Sequence, residues 1–336
     1  MLGLRVSFIR PPVVLRLARW WPIAAALALL IMSGPGDAQT YPSRRLTIVV
    51  PYTAGSGFDI VARTAGQKLS ERTGQPVVVD NKAGASGAIG TESVATAAPD
   101  GYTLLQTGPP HTVSPSMAAV RYDPVADFTP LGNLATSGLA LTVTESFPAT
   151  TLAEFLTLVR ANPGKFNYSS PGTGTLQHLG MELFKQQLGL DVVHVPYRGA
   201  APALTDLVSG QVQFTFLPVN SARPHVQSGK LRLLAVAGSR RSIFAPDVPT
   251  LTELGHPSVD FELWYAFFGP ARLPPSVVQV WERELAAIAA MPDVKESLEQ
   301  QGLVPAYWDA QKTGAHVRSE VARWREVVEK AGLQPK

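Results

Sequence analysis

Short apolar runs rich in β-branched residues alternate with segments of helical period along most of this chain, and no other feature narrows its fold as far. The runs occupy 46–50, 76–79, 102–106, 139–143, 166–169, 192–195, 212–217 and 231–237. Helix-period segments at 59–71, 86–97, 152–161, 176–188 and 201–209 lie between many of them. Strand–helix–strand alternation predicts largely parallel sheets covered by helices, because parallel neighbours need a long crossover that a helix supplies. Pro163-Gly164, Gly189 and Gly210 punctuate helix ends or turns. Thr151 with Glu154 three residues on fits a capping box that opens the helix from 152.

The C-terminal part differs. Residues 261–268 read as one aromatic strand, Pro274-Pro275 precedes a helix at about 276–290, and helices at about 293–301 and 309–330 follow. This ending reads as helical, without a sheet of its own, and packs on the first sheet. The pattern predicts a discontinuous, two-lobed α/β architecture: residues 41–140 plus 264–336 form lobe one, and 141–263 form lobe two. Two chain crossings make a hinge, and the cleft between the lobes is the expected ligand site.

Four loops follow the carboxyl ends of predicted strands, where open α/β sheets bind ligands. They are 51–59, 81–90, 107–112 and 169–175, all rich in Gly, Ser and Thr and poor in Lys and Arg. The first runs Pro51-Tyr52-Thr53-Ala54-Gly55-Ser56-Gly57-Phe58-Asp59 between a strand and a helix start. Such a turn presents unpaired N–H groups and the positive end of a helix dipole, which together cradle an anion. Asp59 in the first helical turn either complements the dipole, or orients the loop, or receives a ligand hydroxyl or amine. Its charge opposes a carboxylate placed beside it, so it flanks such a site. Phe58, Trp264 and Tyr265 either accept a ring or belong to the core.

Enzyme signatures fail at specific positions. Gly55-Ser56-Gly57 lacks the flanking glycines of a nucleophile elbow, with Ala54 and Phe58 in their places, and the dinucleotide pattern breaks at Ile60 and Gln177. No Gly-Lys-Ser/Thr completes a P-loop. His178 and Glu182 lie four apart on a predicted helix, too few groups for a metal. The reading is a binding protein with no cofactor, not an enzyme; the alternative is a serine hydrolase using Ser56 or Ser170.

Composition decides the remaining classes. The chain has no cysteine, which excludes disulfides, thiolate nucleophiles and a lipid anchor on cysteine. Residues 1–38 have the form of a secretory signal peptide: Arg5, Arg10, Arg16 and Arg19, an apolar stretch over 23–32, and a cleavage site after Ala38. The leader carries four Arg and one Asp, which is the whole excess of 29 Lys and Arg over 26 Asp and Glu. About 25 charges of each sign remain, so no basic field exists for nucleic acid. A periplasmic, monomeric protein is expected.

In order along the chain, Ile48-Val49-Val50-Pro51-Tyr52 with Gly55, Asp59 and Ala62-Arg63, then Ala98-Pro99-Asp100-Gly101-Tyr102, Gly172-Thr173-Gly174-Thr175 with His178, Val195-Pro196-Tyr197-Arg198-Gly199, Pro246-Asp247-Val248-Pro249-Thr250 and Trp264-Tyr265 resemble the Bug solute-binding receptors of tripartite tricarboxylate transporters. The resemblance implies a Venus-flytrap receptor, each lobe a mainly parallel sheet flanked by helices. It captures a small carboxylate and delivers it to integral-membrane transporter subunits, or, in another use of the same closed form, reports to a signalling partner. It implies ligand contacts from Tyr52, Thr53, Ser56, Asp59 and Thr107 in lobe one, and from Ser170, Thr173, Thr175, His178, Tyr197 and Gly199 in lobe two. Two departures stand out. Ser56 replaces the second glycine of the family's opening pair, and Gln213 stands where Asp is common.

Overall fold

The computed structural model describes residue 3 and residues 41–335; apart from residue 3, the expected leader, 1–38, lies outside the described residues. Two sheets share one strand. In the first sheet, β1 (Leu46–Val50) lies between β2 (Val77–Asn81) and β3 (Thr103–Thr107) with parallel pairing. Helix α1 (Gly57–Thr73) connects β1 to β2, and α2 (Ala88–Ala95) connects β2 to β3. After β3 comes α3 (Pro110–Met117), then β4 (Phe128–Thr144), whose 17 residues run through both sheets.

The second sheet repeats the scheme. After α4 (Leu152–Arg160), β5 (Asn167–Ser170) pairs in parallel with β6 (Val193–Pro196) and β7 (Phe214–Pro218). Helices α5 (Leu176–Leu188) and α6 (Ala200–Val208) make the crossovers. Then α7 (Val219–Gln227) leads to β8 (Leu231–Ala237), and the chain returns through β9 (Glu262–Pro270), antiparallel to β3 and β4. Within β4, Phe128 to Gly138 pair with β9, while Leu139 to Thr144 pair with β7 and β8. The sheet therefore changes partners between Gly138 and Leu139.

Helices α8 (Pro275–Ala290) and α9 (Pro292–Gln300), β10 (Val304–Trp308) and α10 (Ala310–Lys330) complete the chain. The ending, read as helical without a sheet of its own, adds one strand to the first sheet: β10 pairs antiparallel with β4, Val304 opposite Thr136 and Trp308 opposite Asn133. Pro305 hides this strand in the sequence, but a strand at a sheet margin tolerates a missing donor. Only residues 139–143 of β4 read as strand, because Pro130, Gly132 and Gly138 interrupt the alternation before them. Helices α3 and α7 were missed because Pro115 and Pro224 lie inside them. The helix expected from 86 starts at Ala88, after a 3₁₀ turn at Ala85–Gly87 in which Ala85 and Ser86 both have positive φ.

The ending also reaches further than the first sheet. Val317 packs with Trp308, Trp264 and Phe268, whereas Trp324, Val327 and Val328 enter a core with Phe184, Phe216 and Phe261. The side chain of Gln186 on α5 donates to the Val327 carbonyl. Helix α10 thus lies across both cores. The capping box at Thr151 forms as expected, with Thr151 Oγ1 accepting from Glu154 N and Glu154 Oε2 accepting from Thr151 N.

Candidate functional site

The first loop is built by Asp59. Its side chain is buried, and Oδ2 accepts from Gly55 N at 2.9 Å and from Arg63 Nε at 2.9 Å. Oδ1 accepts from Asn81 Nδ2 at 2.9 Å, and the same amide donates to the Tyr52 carbonyl. One carboxylate therefore ties the turn, the first turn of α1 and the end of β2 together. Burial pushes its pKa up, but the hydrogen bonds from Arg63, Gly55 and Asn81 outweigh that, and the net direction is downward. Of the readings open for Asp59, its partners match the loop-orienting one.

Ser56 caps α1, its Oγ accepting from Asp59 N at 3.3 Å, which leaves the hydroxyl proton available to an anion. Thr53 beside it is exposed. The Tyr52 hydroxyl lies 3.1 Å from Thr107 Oγ1, and burial pushes its pKa up. Its ring meets Phe58 at 4.3 Å, and Phe58 meets Tyr265 at 5.0 Å. Phe58 is half-buried, whereas Trp264 is fully buried in the core. Gly108 admits this arrangement: a Cβ there would stand 2.3 Å from the Trp264 carbonyl and 2.6 Å from the Phe58 ring.

In lobe two, the loop after β5 closes on itself. Thr175 Oγ1 donates to the Gly172 carbonyl at 2.7 Å, and Gly174 N donates to His178 Nδ1 at 3.1 Å. Ser170, fully buried, accepts from Gly172 N and lies 2.7 Å from His194 Nε2. The His178 and His194 rings stack at 4.0 Å, with Tyr168 4.8 Å beyond His194. Burial lowers both histidines to about 4. Neutral imidazoles are what the loop requires, since His178 Nδ1 must accept. Tyr197 donates to Asp206 Oδ2 at 2.6 Å, and burial, with that bond, raises it to about 12. Gly199 N donates to the Pro171 carbonyl, and Gly199 takes a φ of 120° as α6 begins. Thr173 is exposed at the loop tip.

The two sets are separate networks. Among the described residues, no hydrogen bond joins Tyr52, Ser56, Asp59 or Thr107 to Ser170, Thr175, His178 or Tyr197. Met117, which ends α3, lies against the second set, 3.4 Å from where a Cβ on Gly174 would stand.

Three helix starts complete lobe two. No side chain caps α5, α6 or α7, nor α2, α3, α8 or α9, whereas Ser56, Thr151 and Asp309 cap α1, α4 and α10. A cavity of about 210 Å³ lies among the three uncapped starts. Its lining includes Pro171, Gln177, Ala200, Phe216, Pro218 and Ser221. Ser169 also lines it, and its buried Oγ has no hydrogen-bond partner. Uncapped N–H groups and three positive dipole ends favour an anion here.

The sequence reading did not assign Asn81 or His194, which organise the loops, to the site, and it missed the helix start at Val219; the helix expected from 201 starts at Ala200. The strand–Pro–helix run at 214–219 carried the last signal. Gln213 falls at the opposite end of the sheet, its Oε1 accepting from Asn167 N at 2.8 Å, so it tethers β5 and takes no part in the site.

Solved structures define the class. The R. palustris protein Rpa4515 with adipate superposes with a TM-score of 0.75 at 34% identity, covering 88% of this chain and 100% of that one. MatC from Rhodopseudomonas palustris with bound malate gives 0.71 at 30%, covering 86% and 100%. The fold is that of a two-lobed periplasmic binding protein. The TctC family, described as "Tripartite tricarboxylate transporter family receptor", matches residues 61–333, and the chain belongs to this family. Protein BugT of Bordetella pertussis is 32% identical over 317 residues, 94% of this chain and 97% of the relative.

Proposed function

We propose that this protein is a periplasmic receptor that captures a small carboxylate between its lobes and presents the closed form to a membrane transporter. The observation that carries the reading is the convergence of three helix starts without side-chain caps on one cavity in lobe two, lined by the unpartnered Ser169 hydroxyl. A carboxylate needs donors without competing acceptors, and these three ends supply them. The lobes are 41–140 with 264–336, and 141–263. The partner change at Gly138 in β4 and the return before β9 support the two crossings as hinges. The ligand must bind the closed form better than the open one, or no closure follows. A thermal-shift screen over carboxylates tests the reading, because a ligand of the folded state raises the melting temperature. A rise with at least one carboxylate is the expected result. No rise across mono-, di- and tricarboxylates contradicts it.

One observation favours a second reading. Ser170 Oγ and His194 Nε2, 2.7 Å apart, have the spacing of a nucleophile and its base. A serine-reactive probe labels Ser170 if that reading holds. In the receptor reading Ser170 stays unlabelled, engaged in its own loop.

A further inference from the structure

The cavity of lobe two specifies more than an anion. Its lining is apolar, from Pro171, Ala200, Ala203, Leu204, Phe216 and Leu217, and none of the residues lining it carries a charge. Its polar members are Ser169, Gln177, Thr215 and Ser221, of which Thr215 Oγ1 is committed to the Ser169 carbonyl at 2.6 Å. Its volume of about 210 Å³ exceeds that of an engineered cavity of about 150 Å³ that takes up benzene. At its rim stand the uncapped starts of α5, α6 and α7, supplying N–H groups and positive dipole ends without a formal charge.

We infer that the ligand is a monocarboxylate with an apolar body of ring or short-chain size, its carboxylate at the three helix starts and its body in the cavity of lobe two. The inference rests on the receptor reading and names its substrate class. A second carboxylate on the body would enter a space with no cation, lined by neutral donors alone, the hydroxyls of Ser169 and Ser221 and the Gln177 amide. An unpaired buried carboxylate is strongly disfavoured. An apolar body loses only its contact with water. Each added methylene should raise affinity roughly fourfold until the cavity is full.

Hexanoate and adipate separate the possibilities, because they share a six-carbon length and differ only in the second carboxylate. Calorimetry on the full mature protein should show hexanoate and benzoate binding at least a hundredfold more tightly than adipate or malate. In the series acetate, butyrate and hexanoate, affinity should rise at each step. The variant Ala203→Phe, which fills the cavity, should lose at least tenfold in hexanoate affinity. Adipate or malate binding as well as hexanoate overturns the inference and leaves the receptor reading standing. A flat acetate-to-hexanoate series, or an Ala203→Phe variant that folds and binds hexanoate unchanged, also overturns it. If no carboxylate binds at all, both fall.

Discussion

Replacing Asp59 with Ala removes three hydrogen bonds to one buried carboxylate, so its cost can be worked from the geometry. The bonds from Gly55 N and Asn81 Nδ2, both 2.9 Å, go to a charged acceptor and contribute roughly 1.5–2 kcal/mol each. The Arg63 pair adds less than about 1 kcal/mol, since the arginine side chain is 54% exposed and solvent screens it. The total is about 3–5 kcal/mol, which lowers the melting temperature by roughly 6–15 °C in a chain of this size. The loss has a pH signature. Asp59 has a lowered pKa in the folded state, so its contribution is complete above the unfolded carboxyl value of about 3.9 and disappears as pH falls through the folded value. Melts of both proteins should differ by a constant amount above about pH 5, and the difference should shrink progressively as pH falls below about 4. A difference under 2 °C at pH 7, or one undiminished at pH 3, refutes the assignment of Asp59 as the organiser of the loop.

Further predictions follow the same geometry. Thr173→Val should leave the melting temperature of the ligand-free protein within about 1 °C, because the residue is exposed, and should weaken ligand binding about tenfold by calorimetry. Gly108→Ala should cost about 2 kcal/mol or more in denaturant unfolding, since its Cβ meets the Trp264 carbonyl and the Phe58 ring. Trp324→Ala should cost about 3–5 kcal/mol by the same measurement, as the fully buried ring joins the core shared by α5 and β7 and donates to Glu320. His178 and His194 are held neutral, with values lowered to about 4, so the stability they confer is full above about pH 6.5 and is lost as pH falls towards 4. The protection factor of the Gly174 amide, corrected for intrinsic exchange, should fall as pH drops towards 4 and show no such step in His178→Phe.

Much of the fold was legible because its elements obey local rules. Helix α4 announces itself through Thr151 and Glu154, and α5 ends where Gly189 takes the left-handed conformation. The parts that escaped are those in which tertiary pairing overrides local signals. β10 contains Pro305, β4 contains Pro130 and two glycines, and α3 and α7 each carry an internal proline. The site was legible as loops, since glycine and hydroxyl residues after strands are visible in a linear sequence. The network was not. Asn81 meets Asp59 from 22 positions away, and Ser170 meets His194 from 24. Nothing in the pattern of either segment encodes that meeting. The cavity was equally hidden, because its lining comes from β5, α5, α6, β7 and α7, each contributing only a few uncharged residues.

The central claim is that two lobes close on a carboxylate. Small-angle scattering of the mature protein, with and without a carboxylate whose binding calorimetry has established, tests it most directly. The account predicts a smaller radius of gyration in the bound protein and a saturable change that tracks occupancy. Superimposable curves at full occupancy would contradict it.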